Sequence, residues 1–329
     1  MEPQDWLSQQ RNLYRDDPPS QTPPLAIHPV SGETETTDKL QSQFWWGGGA
    51  STWAWQIVER ACQSHLTHIC VLTFGPVQSF LAGGQRLRDW AVASWICHYL
   101  SAVLIHRWEE SGGKVLFPLS DSVPLVQWLQ DRNNGEIDTA KFWQAGLPNL
   151  IVGLHPEKEK WLAQLKRQFN RDWLQFIQQL RSSLVQYDTN LASPLGWQVI
   201  QRDCRYLWSL YADSVRLRPE QINCDLTCLY RSVEAQKLGR RWQGSWWGGR
   251  TSPSDGRLSI WHPGLKPIDR GGKWGLPDAV TNQWWQNLAQ TDSGPFAGLF
   301  SESDRLNSIE LVKRLASASQ VIEPTLTAL

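Results

Sequence analysis

Gly83-Gly84-Gln85-Arg86 is the segment whose composition best suits anion binding, because two glycines let backbone N–H groups approach a phosphate and the arginine adds charge. As an isolated motif it reads first as a flexible helix start. The other glycine pairs precede single basic residues (Gly112-Gly113-Lys114, Gly248-Gly249-Arg250, Gly271-Gly272-Lys273). None is followed by the adjacent carboxylates that hold two Mg²⁺ ions about 3.5 to 4 Å apart. Arg88-Asp89 reads as an ion-paired helix surface rather than a metal ligand. Among the histidines, His65-x-x-His68 is the one close pair, and its place at the entry to a strand favours a structural role. Cys224-x-x-x-Cys228 has no second pair nearby to complete a tetrahedral zinc site. No His-Asp dipeptide occurs, so the sequence does not support a metal-dependent nuclease.

The elements that position these residues are read from apolar periodicity. Ile69 to Phe74 is a β-rich run that ends in the Gly75-Pro76 turn, with Pro76 expected in the first helical position. A long amphipathic helix is expected from Val77, with Leu87, Trp90, Ala91, Ser94, Cys97, Ser101, Leu104, Ile105 and Trp108 on one face and Gly112-Gly113 as its stop. A short strand, Lys114 to Phe117, and a short helix, Val123 to Leu129, follow. Gly146 to Leu154 reads as a third strand. Glu157 to about Tyr187 reads as a second long helix burying Trp161, Leu165, Phe169, Trp173, Phe176, Ile177 and Leu180. Arg205 to Ala212 is aromatic enough to be expected as a fourth strand, although a helix ending fits nearly as well. The order strand, helix, strand, strand, helix, strand predicts an α+β, ferredoxin-like domain with its long helices on an antiparallel sheet.

Residues 1–50 are rich in Pro, Gln, Thr and Asp and are expected to form an irregular arm. A leading helix is expected from Ser51 to about Ser64, which places the main domain at 51–220 and a helical appendage at 221–329. Lys plus Arg equals Asp plus Glu, 32 each, so there is no global basic field and any nucleic-acid contact must be local. The scattered cysteines suit reduced thiols, and no apolar run is long enough for a membrane span or a signal peptide. A cytoplasmic protein without a membrane partner is expected. The 21 tryptophans are read as core first. An aromatic ligand-binding module, or a base-stacking surface among the Arg and Trp residues from Arg231 to Arg257, is the alternative.

Gly75-Pro76-Val77-Gln78-Ser79-Phe80-Leu81, followed by Arg88-Asp89-Trp90 and Ser94, resembles the first palm domain of the large subunit of type III CRISPR effector complexes, above all the type III-B (Cmr-module) member of the Cas-ten family. Trp90 arrives one place early, and Ala93 stands where that family usually has Gly. The resemblance continues through Phe117-Pro118, Pro124-Leu125-Val126 with Trp128-Leu129, Leu147-Pro148-Asn149, and Trp197 through Trp208, covering roughly residues 65 to 315. The family's zinc knuckle aligns with Gly244, Trp247, Asn307 and Glu310 in the four cysteine positions. The resemblance therefore implies a zinc-free knuckle, held by the packing of Trp242, Trp246, Trp247 and Trp261.

The resemblance implies a structural subunit of an RNA-guided antiviral complex, with other type III effector subunits as partners and guide and target RNA met through the complex. It places Gly75, Pro76, Gln78, Gly83, Gly84, Arg88, Asp89 and Ser94 at a nucleotide-binding or palm-interface site. The family's HD nuclease domain and the Gly-Gly-Asp-Asp motif of its second palm have no counterpart in this sequence, so no catalytic residue is assigned. No cofactor is expected in isolation; ATP and Mg²⁺ would enter only with a second palm. Half of a split palm cyclase, completed by a Gly-Gly-Asp-Asp partner chain, is the enzymatic alternative.

Overall fold

The computed structural model describes residues 25–27, 34–36, 66–120, 123–130, 146–156, 160–188, 190–218, 222–240, 250–254, 256–265, 277–291, 294–318, 320–322 and 325. Two compact units are present, one of residues 1–64 and 219–223 and the other of 65–218 and 224–329. In the first unit, β1 (Leu25–Ile27) pairs antiparallel with β2 (Thr34–Thr36). The leading helix expected from Ser51 to Ser64, and most of the expected arm, lie outside the described residues.

The second unit is built on four strands. They are β3 (His68–Gly75), β4 (Lys114–Phe117), β5 (Leu150–His155) and β6 (Ser209–Arg216). Their order across the sheet is β4-β5-β3-β6, with every neighbouring pair antiparallel. β3 is the long central strand, paired with β5 and β6 from His68 onward. Cys70, Leu72 and Phe74 alternate along it and join the main core.

Two long helices cover that core. α1 (Val77–Ala82) precedes α2 (Leu87–Glu110), α3 (Pro124–Gln130) follows β4, and α4 (Lys160–Leu184) follows β5. Phe74 meets Phe169 at 5.5 Å between ring centroids and Tyr99 meets Phe176 at 5.3 Å, so α2 and α4 share one face of the sheet. α4 has the expected apolar stripe, Trp161, Leu165, Phe169, Trp173, Phe176, Ile177 and Leu180. α2 departs from the amphipathic expectation. Every residue from Trp95 to Ile105 is buried, because helices pack around it as well as the sheet beneath it. It stops where expected, at Gly112, whose φ of +88° only glycine adopts without strain.

Three further expectations need correction. The helix expected from Val77 is two helices, because the chain turns at Gly83-Gly84. Pro76 is not the first helical residue; it precedes α1 with an extended backbone and a cis bond to Gly75. Arg205 does not open the fourth strand. It ends an unread helix, α5 (Pro194–Arg205), and β6 begins only at Ser209. α6 (Ile222–Leu238), α7 (Asp278–Ala289) and α8 (Ser308–Ala316) complete the described helices of this unit. α8 packs on both α2 and α5.

The described tryptophans are mainly core. Trp95, Trp108, Trp173, Trp197, Trp261 and Trp285 are almost fully buried. Most give their N–H to a carbonyl, as Trp173 does to Cys204 and Trp261 to Gly196. Among the described residues no helix is long and apolar enough to cross a membrane.

Candidate functional site

The sequence-derived site residues lie around the junction of β3, α1 and α2, and the structure divides them. Gly75 pairs with Ser209 at the end of β3. Gln78, Arg88 and Ser94 are exposed, whereas Asp89 is 2% exposed. Asp89 is thus ion-paired as expected, but not at a surface.

The Gly83–Arg86 turn is closed from inside. The N–H groups of Gln85 and Arg86 both donate to Asp89 Oδ2, at 3.1 Å each. These are the groups a phosphate loop would turn outward, and here the chain's own carboxylate takes them. The carbonyls of Phe80 and Gly83 accept from Lys313 Nζ at 2.9 and 2.8 Å. Trp90 donates from Nε1 to the Gly84 carbonyl, and its indole lies where a Cβ on Gly84 would stand.

Asp89 is also held by α8. Arg314 makes a bidentate pair with it, Nε to Oδ1 at 2.6 Å and Nη2 to Oδ2 at 2.8 Å. The third nitrogen of Arg314 donates to Asp304 and to the Leu299 carbonyl, both of which also accept from Arg86. Burial works against the Arg314 charge, but the hydrogen bonds and fields of Asp89 and Asp304 outweigh it and hold its pKa above the usual value. The cluster binds the start of α2 to α8.

A cleft of about 300 Å³ opens beside this turn, lined by residues that include Val77, Leu81, Ser94, Cys97, His98 and Leu147. Of the expected site residues, Ser94 is the one that lines it. His98 Nδ1 accepts the N–H groups of Gly146 and Leu147 at 3.2 and 3.1 Å, which places its proton on Nε2. That nitrogen is buried and has no partner among the described residues. Burial lowers the His98 pKa from 6.5 to about 4. Cys97 is pushed up to about 12, chiefly by burial, so its thiol stays protonated and is not a nucleophile. Asn149 continues the clamp, donating to Thr73 Oγ1 and the Phe74 carbonyl at 3.1 and 2.8 Å.

Of the four degenerate knuckle positions, Gly244 and Trp247 lie outside the described residues, as do Trp242 and Trp246. Asn307 and Glu310 form a capping box at the start of α8. Asn307 Oδ1 accepts the N–H groups of Ile309 and Glu310, and Glu310 returns a carboxylate oxygen to the Asn307 N–H at 2.9 Å. Glu310 also accepts from Ser252 and Ser254, which fastens the 250–260 loop to the helix. Among the described residues no group of His, Cys, Asp and Glu is arranged to hold a metal ion. His65 lies outside them; His68, at the strand entry, shares a hydrogen bond with Thr67 Oγ1.

The family model for the N-terminal region of CRISPR-associated protein Cmr2 matches residues 69–178. That span runs from β3 into α4 and contains the closed turn, the cleft and His98. No curated protein matches the chain. Among solved structures, a chain of a type III-B Cmr-beta structure determined by cryo-EM in the apo state is similar with a TM-score of 0.51 and 14% identity. The alignment covers 82% of this chain and 34% of that one, so this chain spans about a third of the length of the protein it resembles. The likeness extends to the fold.

The junction can anchor, orient and exclude water; its charged groups are already satisfied by one another. Sequence reasoning missed Arg314, Asp304 and Lys313, which complete it from more than two hundred positions away. It also missed the His98 clamp. The one usable signal was local: a histidine inside an otherwise apolar helical run (Trp95 to Ile105) must find a polar partner.

Proposed function

We propose that the chain is a structural subunit of a type III-B CRISPR effector complex, contributing a ferredoxin-like first palm. The observation that carries this reading is the sheet. Its order β4-β5-β3-β6, all antiparallel and with α2 and α4 on one face, is what a strand-helix-strand-strand-helix-strand chain makes when it closes as a split βαβ unit. Three of its four strands, with both long helices, fall largely within the 69–178 span that matches the Cmr2 N-terminal model. In this reading residues 51–220 form the palm with its leading helix, residues 221–329 form an appendage capped by Asn307 and Glu310, and Gly75, Pro76, Gln78, Arg88 and Ser94 sit at a palm interface. Sequence recognition would rest with a guide RNA rather than with this chain.

ATP and Mg²⁺ enter only with a second palm, in which case Ser94 and the cleft beside it would face the nucleotide. Affinity purification of the full chain from its native host tests the reading. Co-elution of other type III effector subunits and a guide RNA is expected, and recovery of the chain without either would overturn it. Adding the co-purified partner chains to ATP and Mg²⁺ separates scaffold from split cyclase by the appearance of oligoadenylate products.

A further inference from the structure

A second concave surface lies away from the junction, between α4 and the turn from α5 into β6. It is an open groove of about 810 Å³. Arg167 and Arg171 stand four residues apart on the exposed side of α4, about 6 Å along its axis, and Arg205 faces them from the last turn of α5. Among the described residues no carboxylate lines the groove. All three guanidiniums are exposed, and none makes an ion pair with any described residue. Arg107 and Arg314, by contrast, are each paired to carboxylates. In a chain with 32 basic and 32 acidic residues, three unpaired arginines around one concavity are a local positive field.

Two further features narrow the ligand. Tyr206 borders the groove with 53% of its surface exposed, a flat ring beside three guanidinium planes. Trp208 lines the floor of the groove, almost fully buried and packed edge-on against Phe74 and Phe80, which makes that floor rigid. The walls are tied together by Gln201 Nε2 donating to Gln178 Oε1 at 2.8 Å, so the concavity is braced before any ligand arrives. Anion forks, an exposed stacking ring and amide side chains together match a single-stranded nucleic acid: phosphates on the arginines, a base on Tyr206. An acidic peptide would use the charges but leave the ring without a role.

We infer that the groove formed by Arg167, Arg171, Arg205 and Tyr206 binds a short single-stranded nucleic-acid segment. These side chains would hold such a segment whether or not the chain joins an RNA-guided complex.

Fluorescence anisotropy of the full chain with labelled ten-nucleotide oligouridylate and oligothymidylate, at 50 and 200 mM salt, tests it. Three phosphate contacts give a salt slope of about −2 on logarithmic axes. The double variant Arg171→Glu/Arg205→Glu is expected to weaken binding by about tenfold or more and to flatten that slope, with Arg171→Gln/Arg205→Gln as a milder second variant. Tyr206→Ala is expected to weaken binding by about fivefold or more. Arg216→Glu, an exposed charge at the end of β6 opposite the groove, is expected to leave binding unchanged. Preference for the RNA would show that sugar hydroxyls are read; equal binding would show a backbone-and-stacking groove, and both support the site. The inference is overturned if wild-type chain binds neither oligonucleotide at 50 mM salt, if Arg216→Glu weakens binding as much as the groove variants, or if a glutamate oligopeptide competes as well as the RNA.

Discussion

The meeting of α8 with the start of α2 and the groove between α4 and α5 are both furnished with arginine, and they put it in opposite settings. Arg314 is fully buried, and each of its three side-chain nitrogens is engaged by Asp89, Asp304 or Leu299. Arg171 is exposed and borders a concavity with no carboxylate among the described residues that line it. Residue type does not separate these cases. Partner geometry does: a guanidinium surrounded by two aspartates serves stability, and one held apart from carboxylates remains available to an outside anion.

The largest effect that would break this contrast is expected at Arg314. Arg314→Ala leaves the buried Asp89 without the guanidinium that pairs with it, and breaking such a pair costs about 3 to 5 kcal/mol. Urea unfolding of the full chain should register that loss, and a variant as stable as wild type would show that the cluster is not the fastener described here. Next in size is a pH effect at His98, a buried polar group on the other side of the same junction. Its folded pKa of about 4 lies below the ordinary 6.5, so the unfolded chain takes up the proton first as pH falls. Stability attributable to His98 is complete above pH 6.5 and is lost toward pH 4, by about 3 kcal/mol in all. His98→Asn, which keeps an acceptor without a titrating proton, should flatten that part of the stability–pH curve; an unchanged slope would place the titration elsewhere.

A smaller effect is expected from Asn307→Ala, which removes the α8 cap and leaves the Ile309 and Glu310 N–H groups without acceptors. Loss of an N-cap typically costs about 1 kcal/mol. Hydrogen exchange at residues 308–311 reads this locally, and protection equal to wild type would deny the cap its role. The smallest effect belongs to the groove. Arg171→Glu should leave the urea midpoint unchanged within about 0.5 kcal/mol, as exposed positions usually do. A large loss of stability there would mean that Arg171 holds the fold together and would erase the contrast with Arg314.

The elements nearest to complete in the sequence were those whose burial is periodic. β3, β4, β5 and α4 follow from alternation or from three-and-four spacing, and the end of α2 follows from Gly112. α5 was not legible, because Pro194-Leu195-Gly196-Trp197 carries a residue that disfavours helix. Its Gly196 is there for another reason: a Cβ at that position would meet Trp261 Cζ2 at 2.5 Å. A contact with a residue 65 positions later leaves no periodic trace around Gly196.

The candidate site divides in the same way. By itself the sequence determined that Asp89 must find a cation, that Gly83-Gly84 must turn, and that a neutral chain can meet nucleic acid only through a local patch. Only the tertiary structure decided that the cation is Arg314, that the turn's N–H groups face inward to Asp89, and that Arg167, Arg171 and Arg205 line one groove. Charge and backbone freedom belong to single residues and can be read in order along the chain. Pairing and concavity belong to residues brought together by packing, here across as many as 225 positions.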